Sequence, residues 1–321
     1  MIIVPEKEIG ALMTREVAFD AVEKVFASMA KKSAYNFPVI REAIGHADAL
    51  YGFKSGFDKT ALNLGLKSGG YWPGNAANGI TNHQSTIFLF DANTGKCRAV
   101  VGGNLLTALR TAAAAAVSVA HLSRKDSKVL GIIGAGHQAS FQLRAVVEQR
   151  KFEKVIAWNR SPGKLDSLRK VADEIGLPFE IVTLKELGAT SDVIVTITSS
   201  FDPILENLSV KLGTHIACMG TDTKGKQEIE ASLMKRANLF TDEIAQSITI
   251  GECQHAISEG SITINDIIEI GAVINGTAVG RTTDSDITLF DGTGVALQDL
   301  AVASSVVELA IERGVANQVE F

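Results

Sequence analysis

The feature that most limits the fold is residues 129–139, VLGIIGAGHQA. An apolar run leads directly into G-x-G-x-x-A, and a helical pattern follows. Gly134 permits a tight turn, Gly136 lets the backbone approach a ligand, and Ala139 lets the helix pack closely on a sheet. The unpaired N–H groups at a helix start suit a pyrophosphate. The spacing therefore predicts a dinucleotide site on a parallel α/β sheet, with a ligand-free glycine turn as the alternative. Strands predicted at 128–133, 154–158, 179–182, 192–198, 215–219 and 239–241 alternate with helices, including 137–149 and 163–175, as in βαβ units. The second strand ends at Asn159 and Arg160, where an acidic ribose ligand is the rule for NAD. Asn159 can bond a ribose hydroxyl and Arg160 a 2′-phosphate, which leans toward NADP(H) over NAD(H). Arg160 also reads as a solvated strand-end charge.

The first third has a different texture. Helical periodicity over 14–31 starts at Thr14 as N-cap. Residues 62–68 and 86–90 read as strands around a Gly- and Asn-rich loop, 86–101 as a hairpin, and 107–121 as an alanine-rich helix. The polar stretch 123–127 marks a domain boundary, and 295–312 is again helical, ending at Gly314. A chain of 321 residues suits two domains.

Composition excludes several classes. A formal net charge of -5 argues against a nucleic-acid partner, and 46% hydrophobic with 21% charged residues argues for a packed core. The apolar stretch 99–122 carries Arg110 and two glycines, so a buried helix is expected rather than a membrane span. Cys97, Cys218 and Cys253 form no C-x-x-C pair, which predicts no disulfide framework, no metal and a reducing cytoplasm.

Several side chains are candidates for chemistry. Asp222 follows a strand at the edge where ligands bind, so it reads as a proton donor or acceptor, or as a turn aspartate. Lys67 enters a glycine-rich loop and reads as a carboxylate anchor or proton donor, or as an edge lysine. Arg110 interrupts a buried alanine helix and needs an anion: a ligand carboxylate, a phosphate or an internal acid. Arg41 reads as an anion contact or a partner of Glu42. His83 reads as an anion contact or a hydrogen-bonded structural histidine.

Residues 106–113 (LTALRTAA), 134–138 (GAGHQ), 220–222 (GTD) with Gly225 and Lys226, 286–294 (DITLFDGTG) and 296–299 (ALQD) occur in this order. This set, spread over nearly the whole chain, resembles the ornithine cyclodeaminase/mu-crystallin family. The resemblance implies a Rossmann-type parallel-sheet domain, 124–294, inserted into a mixed α+β substrate and dimerisation domain, 1–123 plus 295–321. The active site is then expected in the cleft of a homodimeric NAD(P)H-dependent oxidoreductase. It implies that Arg41 and Lys67 hold the substrate carboxylate, with Asp222 as acid/base. It places Arg110 and Thr111 at the cofactor close to the substrate, and Thr293 beside the substrate. Further cofactor contacts implied are Asn82, Gly134, Gly136, His137, Gln138, Asn159, Arg160, Thr198, Met219, Gly220, Thr221, Lys226 and Gly292.

Three departures from the family pattern point away from ornithine: Asn82 for a usual threonine, 291–294 (DGTG) for the more usual small-residue-plus-valine pattern, and the T-K-G-K loop 223–226. Lys54, His83 and Thr293 suit a second carboxylate on the substrate. Residues 51–56, 68–75 and 81–86 resemble the family branch acting on iminosuccinate, which reduction converts to L-aspartate. Ornithine cyclodeamination, alanine dehydrogenation, cyclic ketimine reduction and NADPH binding without turnover are the alternatives.

Overall fold

The computed structural model describes residues 1–320. They form two compact units, residues 1–110 with 295–320, and Thr111–Gly294.

The first unit is built on a mixed, mostly antiparallel sheet. Its strands run in the order Asn317–Gln318, Ile2–Val4, Cys97–Gly102, His83–Phe90, Asn63–Tyr71, Leu50–Asp58 and Ala34–Asn36, with Ile40–Ala43 also paired to Leu50–Asp58. Ile2–Val4 is parallel to Cys97–Gly102, whereas the central hairpins are antiparallel. The helix Arg15–Ala30 begins at Thr14, whose hydroxyl accepts from the Val17 N–H at 3.2 Å. Its Ala18, Val22, Val25, Phe26 and Met29 are buried at helical spacing. Burying each large apolar chain stabilises the unit by roughly 1.5–3 kcal/mol.

The last helix, Ala296–Glu312, packs on this helix and on the central strands. Glycines let it come close. A Cβ at Gly65 would lie 2.8 Å from Leu300, and one at Gly56 would lie 3.2 Å from Leu297. This approach puts the first turn of the helix beside Lys67, on the strand Asn63–Tyr71.

The second unit holds an all-parallel sheet. The strand order is Phe179–Ile181, Lys154–Trp158, Val129–Ile133, Val193–Thr196, His215–Cys218, Ile287–Asp291, Ala237–Thr241, Ile267–Glu269. The chain order reverses direction between Val129–Ile133 and Val193–Thr196, which is the switch point where such sheets bind ligands. Ile133, Ile156, Ile194, Ile216, Leu239 and Leu289 come from six strands into one buried cluster. The unit is Rossmann-like, and the chain is a mixed α/β protein.

The structure corrects some boundaries. The division of units falls between Arg110 and Thr111, inside the unbroken helix Asn104–Leu122, rather than at 123. The helix start is held by the first unit: Glu6 accepts from the Asn104 N–H at 3.1 Å and from the Leu105 N–H at 2.7 Å. Residues 123–127 are thus a connection between helix and strand, not a linker. The strands Leu50–Asp58 and Ile287–Asp291 are not expected from the sequence. The first contains two glycines, and the second is buried throughout, so neither alternates cleanly.

By length and composition the helix Asn104–Leu122 would suffice to cross a membrane, but 72% of that window is buried inside the protein. Among the described residues no group of three or more His, Cys, Asp or Glu is arranged to hold a metal ion.

Candidate functional site

In the first unit the structure gathers the basic candidates. Lys67 lies on the helix-facing side of its strand, and Arg110 in the second turn of Asn104–Leu122; each is 7% exposed. Both reach Asp299, which is 0% exposed, in the first turn of the last helix. Lys67 Nζ is 2.7 Å from Asp299 Oδ2, and Arg110 Nε donates to Oδ1 at 2.9 Å. Arg110 Nη1 donates to Gln298 Oε1 at 3.2 Å, and Lys67 Nζ to Thr107 Oγ1 at 3.4 Å. Of the three anions that could answer Arg110, the structure supplies the internal acid.

Lys54 is the direct cross-strand partner of Lys67. Its positive charge acts on both Lys67 and Asp299. His83 opens its strand opposite Tyr71, within the field of Lys67, Arg110, Asp299 and Arg41. Arg41 is exposed on the short strand Ile40–Ala43.

Electrostatics sharpen the cluster. Burial pulls the Lys67 ammonium down to about 7; Asp299 opposes this, while Arg110 and Lys54 add to it. Burial pushes Asp299 up, but Arg110, Lys67 and Lys54 together hold it below the usual carboxylate range. Burial, reinforced by Lys67 and Arg110, lowers His83 to about 4, so its imidazole is neutral at pH 7. Lys67 and Arg110 thus share a single carboxylate within the field of Lys54, and the excess positive charge suits an anionic ligand.

The second unit assembles the dinucleotide candidates. Gly134 has φ +115°, and a Cβ there would lie 2.6 Å from the Ile197 carbonyl oxygen. Its N–H donates to the Trp158 carbonyl at 3.0 Å. Gly136 caps the helix His137–Val146, and nothing lies within 4 Å of where its Cβ would be. The space before the helix N-terminus is therefore open to a pyrophosphate, so the residues fit a dinucleotide. Gln138 Oε1 is a buried acceptor that receives no hydrogen bond, and His137 is exposed beside it. Asn159 Nδ2 donates to the Ser161 carbonyl at 2.8 Å; Arg160 is exposed.

At the carboxyl edge of the next strands, buried acids tie the backbone together. Glu228 accepts from the Thr198 N–H at 2.6 Å, the Gly220 N–H at 3.0 Å and the Thr196 hydroxyl at 2.7 Å. Glu252 accepts from the Thr221 hydroxyl and from the N–H groups of Glu228 and Ile229 at 2.8 and 2.7 Å. Asp222 follows in a turn, where its Oδ1 accepts from Lys226 Nζ at 2.8 Å and from the Thr223 hydroxyl at 3.1 Å. Gly292 lies against Met219: a Cβ there would lie 2.6 Å from the thioether.

Some candidates stand apart from their expected groups. Asn82 and Arg110, expected at the cofactor, belong to the first unit. Asn82 organises its own loop, accepting from the Ala76 N–H at 2.8 Å and donating to the Tyr71 hydroxyl at 3.1 Å. Thr111 opens the second unit. Thr293, expected at the substrate, lies in the second unit and donates its hydroxyl to Asp242 Oδ1 at 2.6 Å. Asp299 falls within the 296–299 motif, yet sequence reasoning assigns it no role. An acid placed shortly after a buried helix start, with two unmatched buried cations elsewhere, is the signal that would have found it.

Iminosuccinate reductase of Paracoccus denitrificans is 63% identical, covering 100% of both chains. Its crystal structure in complex with NAD+ superposes with a TM-score of 0.97, covering 100% of this chain and 99% of that one. An archaeal alanine dehydrogenase dimer with bound NAD is 32% identical, with a TM-score of 0.94 and coverage of 100% and 99%. The Thermococcus litoralis Δ1-pyrroline-2-carboxylate reductase, in complex with NADH and L-proline, is 26% identical. Its TM-score is 0.94, with coverage of 99% and 100%. The family model for ornithine cyclodeaminase/mu-crystallin proteins matches residues 3–314, and the chain belongs to that family.

Proposed function

We propose that the chain is an NADH-dependent imine reductase that converts iminosuccinate to L-aspartate. The observation that carries this reading is the buried cluster in which Lys67 and Arg110 share one carboxylate, with Lys54 on the strand beside Lys67. The 63% identity to iminosuccinate reductase over the whole chain supports it. When bound, NADH supplies the hydride that reduces the imine carbon.

The chain's own residues do the rest. Lys67 and Arg110, with Arg41, hold the α-carboxylate and so fix the C=N group in one orientation. Lys54 and neutral His83 read the β-carboxylate, His83 as an N–H donor rather than a cation. Asp222 delivers a proton to the imine nitrogen, which makes the carbon more electrophilic. One imine, one hydride and one proton give the amine. Thr293, whose hydroxyl is held by Asp242, is assigned to the substrate side.

The helix start at Gly136, with His137 and Gln138, takes the pyrophosphate, and Asn159 takes a ribose hydroxyl. Thr198, the 219–221 segment, Lys226 and Gly292 take the remainder. The missing acid at 159–160 leans toward NADP(H), but the solved relatives hold NAD+, NAD and NADH. A neutral Asn159 still accepts from a ribose hydroxyl, and we assign NAD(H). One relative is a dimer, and we assign a homodimer here, with Tyr35, Phe37, Ile40 and Phe53 as exposed apolar chains in the first unit. The three unpaired cysteines suit a cytoplasmic setting.

The test follows NADH and NADPH oxidation with iminosuccinate formed from oxaloacetate and ammonia, beside pyruvate plus ammonia and a cyclic ketimine. The expected result is fastest turnover with iminosuccinate and NADH. Preference for a monocarboxylic imine, or proline formed from ornithine with no net NADH change, overturns it. Light scattering on the intact chain reads the assembly, and a mass of 34.0 kDa would refute the dimer.

A further inference from the structure

Two buried cations from separate elements, Lys67 on a strand and Arg110 on a helix, sit close enough for each to repel the other. Neither would hold that place alone in a site that excludes water. Asp299 takes one cation on each oxygen, Lys67 on Oδ2 at 2.7 Å and Arg110 on Oδ1 at 2.9 Å. Asp299 is itself fully buried. It lies in the first turn of a helix that two glycines draw onto the sheet, where unpaired N–H groups favour a carboxylate. Gln298 beside it steadies Arg110 from a second direction.

We infer that Asp299 is a positioning residue: it fixes the spacing of Lys67 and Arg110 and holds Lys67 in its ammonium form, ready for the substrate carboxylate. This rests on the proposed role of the two cations as carboxylate anchors. The groups acting on Lys67 are Asp299, Arg110, Lys54 and the Thr107 hydroxyl, with His83 in the same field. Asp299 is the one negative charge among them. Removing it lets Lys67 shed its proton at lower pH, and the anchoring of an anion then fails earlier as pH rises.

The experiment compares the wild type with Asp299→Asn and Asp299→Glu. Steady-state imine reduction is measured across pH, and the Lys67 13Cε resonance is titrated in lysine-labelled protein without substrate, assigned with Lys67→Arg. For Asp299→Asn we expect the alkaline rise in KM and the Lys67 titration both to move down by at least one pH unit. KM at pH 8 should rise at least tenfold, with a smaller fall in kcat and an unchanged NADH dissociation constant. Asp299→Glu, which keeps the charge, should restore the titration while KM remains raised. It carries the test if the Asn variant does not fold.

A uniform loss of activity at every pH, with the Lys67 titration unmoved, overturns the inference and leaves Asp299 a merely structural residue. Because the resonance is read without substrate, it separates the two claims. A wild type that fails to reduce iminosuccinate removes the functional reading but not the Asp299–Lys67 linkage.

Discussion

Asp291 and Asp299 are close in sequence and both fully buried, yet burial ends differently for each. Asp299, in the first unit, sits between Lys67 and Arg110 and is held ionised below the usual carboxylate range. Asp291, in the parallel-sheet unit, is pushed by burial up to about 7, despite hydrogen bonds from the Ser247 hydroxyl at 2.6 Å and the Cys253 N–H at 3.3 Å. Glu252, pushed up to about 8 by burial and then by Glu228, follows the same pattern. One unit therefore buries an acid among cations, leaving positive charge for a ligand. At the carboxyl edge of the other, Asp291, Glu228 and Glu252 are buried as acceptors for hydroxyl and backbone N–H groups, whereas Asp192 elsewhere in that unit pairs with Arg124 and Lys211. The chemistry of each half follows from which partner the acid has.

The contrast can be broken at its strongest point by Lys67→Met. It removes a cation that the proposed reaction needs, and kcat/KM for the imino acid should fall by about 10³-fold or more, while NADH binding to the parallel-sheet unit persists. Fluorescence titration with NADH beside steady-state kinetics checks both halves; loss of NADH affinity would contradict the division of labour. Asp222→Asn should lower kcat by about 10²-fold or more with little change in KM, as expected when an acid acts only in the transition state. A variant with wild-type kcat would leave the proton to another group.

Smaller effects sharpen the same picture. Lys54→Met should raise KM about tenfold for a dicarboxylic imine, equivalent to about 1.4 kcal/mol, and much less for the imine of pyruvate. Equal changes for the two substrates would remove Lys54 from β-carboxylate recognition. Because Lys67 titrates near 7 and anchors an anion only when protonated, substrate affinity in the wild type should decline as pH rises through about 7. A KM that is flat from pH 6 to 8.5 would deny Lys67 that role.

A carboxyl whose folded pKa is raised keeps a proton that the unfolded chain has lost, so stability falls as pH rises from about 4, the ordinary carboxyl value, toward about 7 for Asp291. Asp291→Asn should make that decline in Tm shallower by a few degrees. An unchanged slope would place the pH dependence elsewhere.

Much of the second unit is legible in the sequence. G-x-G-x-x-A between an apolar strand and a helix permits few backbones, and the alternation after it marks most of the parallel strands. The strand Ile287–Asp291 is not legible as a strand, although it inserts between His215–Cys218 and Ala237–Thr241. Its place in the sheet is chosen by packing between strands distant in the chain, which no local pattern encodes. In the first unit the hairpin at 86–101 is readable from its turn, but Leu50–Asp58 is masked by glycines that serve close packing.

The sequence by itself determined the dinucleotide fold and the residue types near the chemistry, because local spacing and helix capping act within a few residues. Tertiary structure alone decided which charges share a partner. Lys67, Arg110 and Asp299 come from a strand, a helix and the last helix of the chain. Coulomb interaction depends on distance and burial, not on chain order. Only the folded unit could make one acid the common partner of both cations.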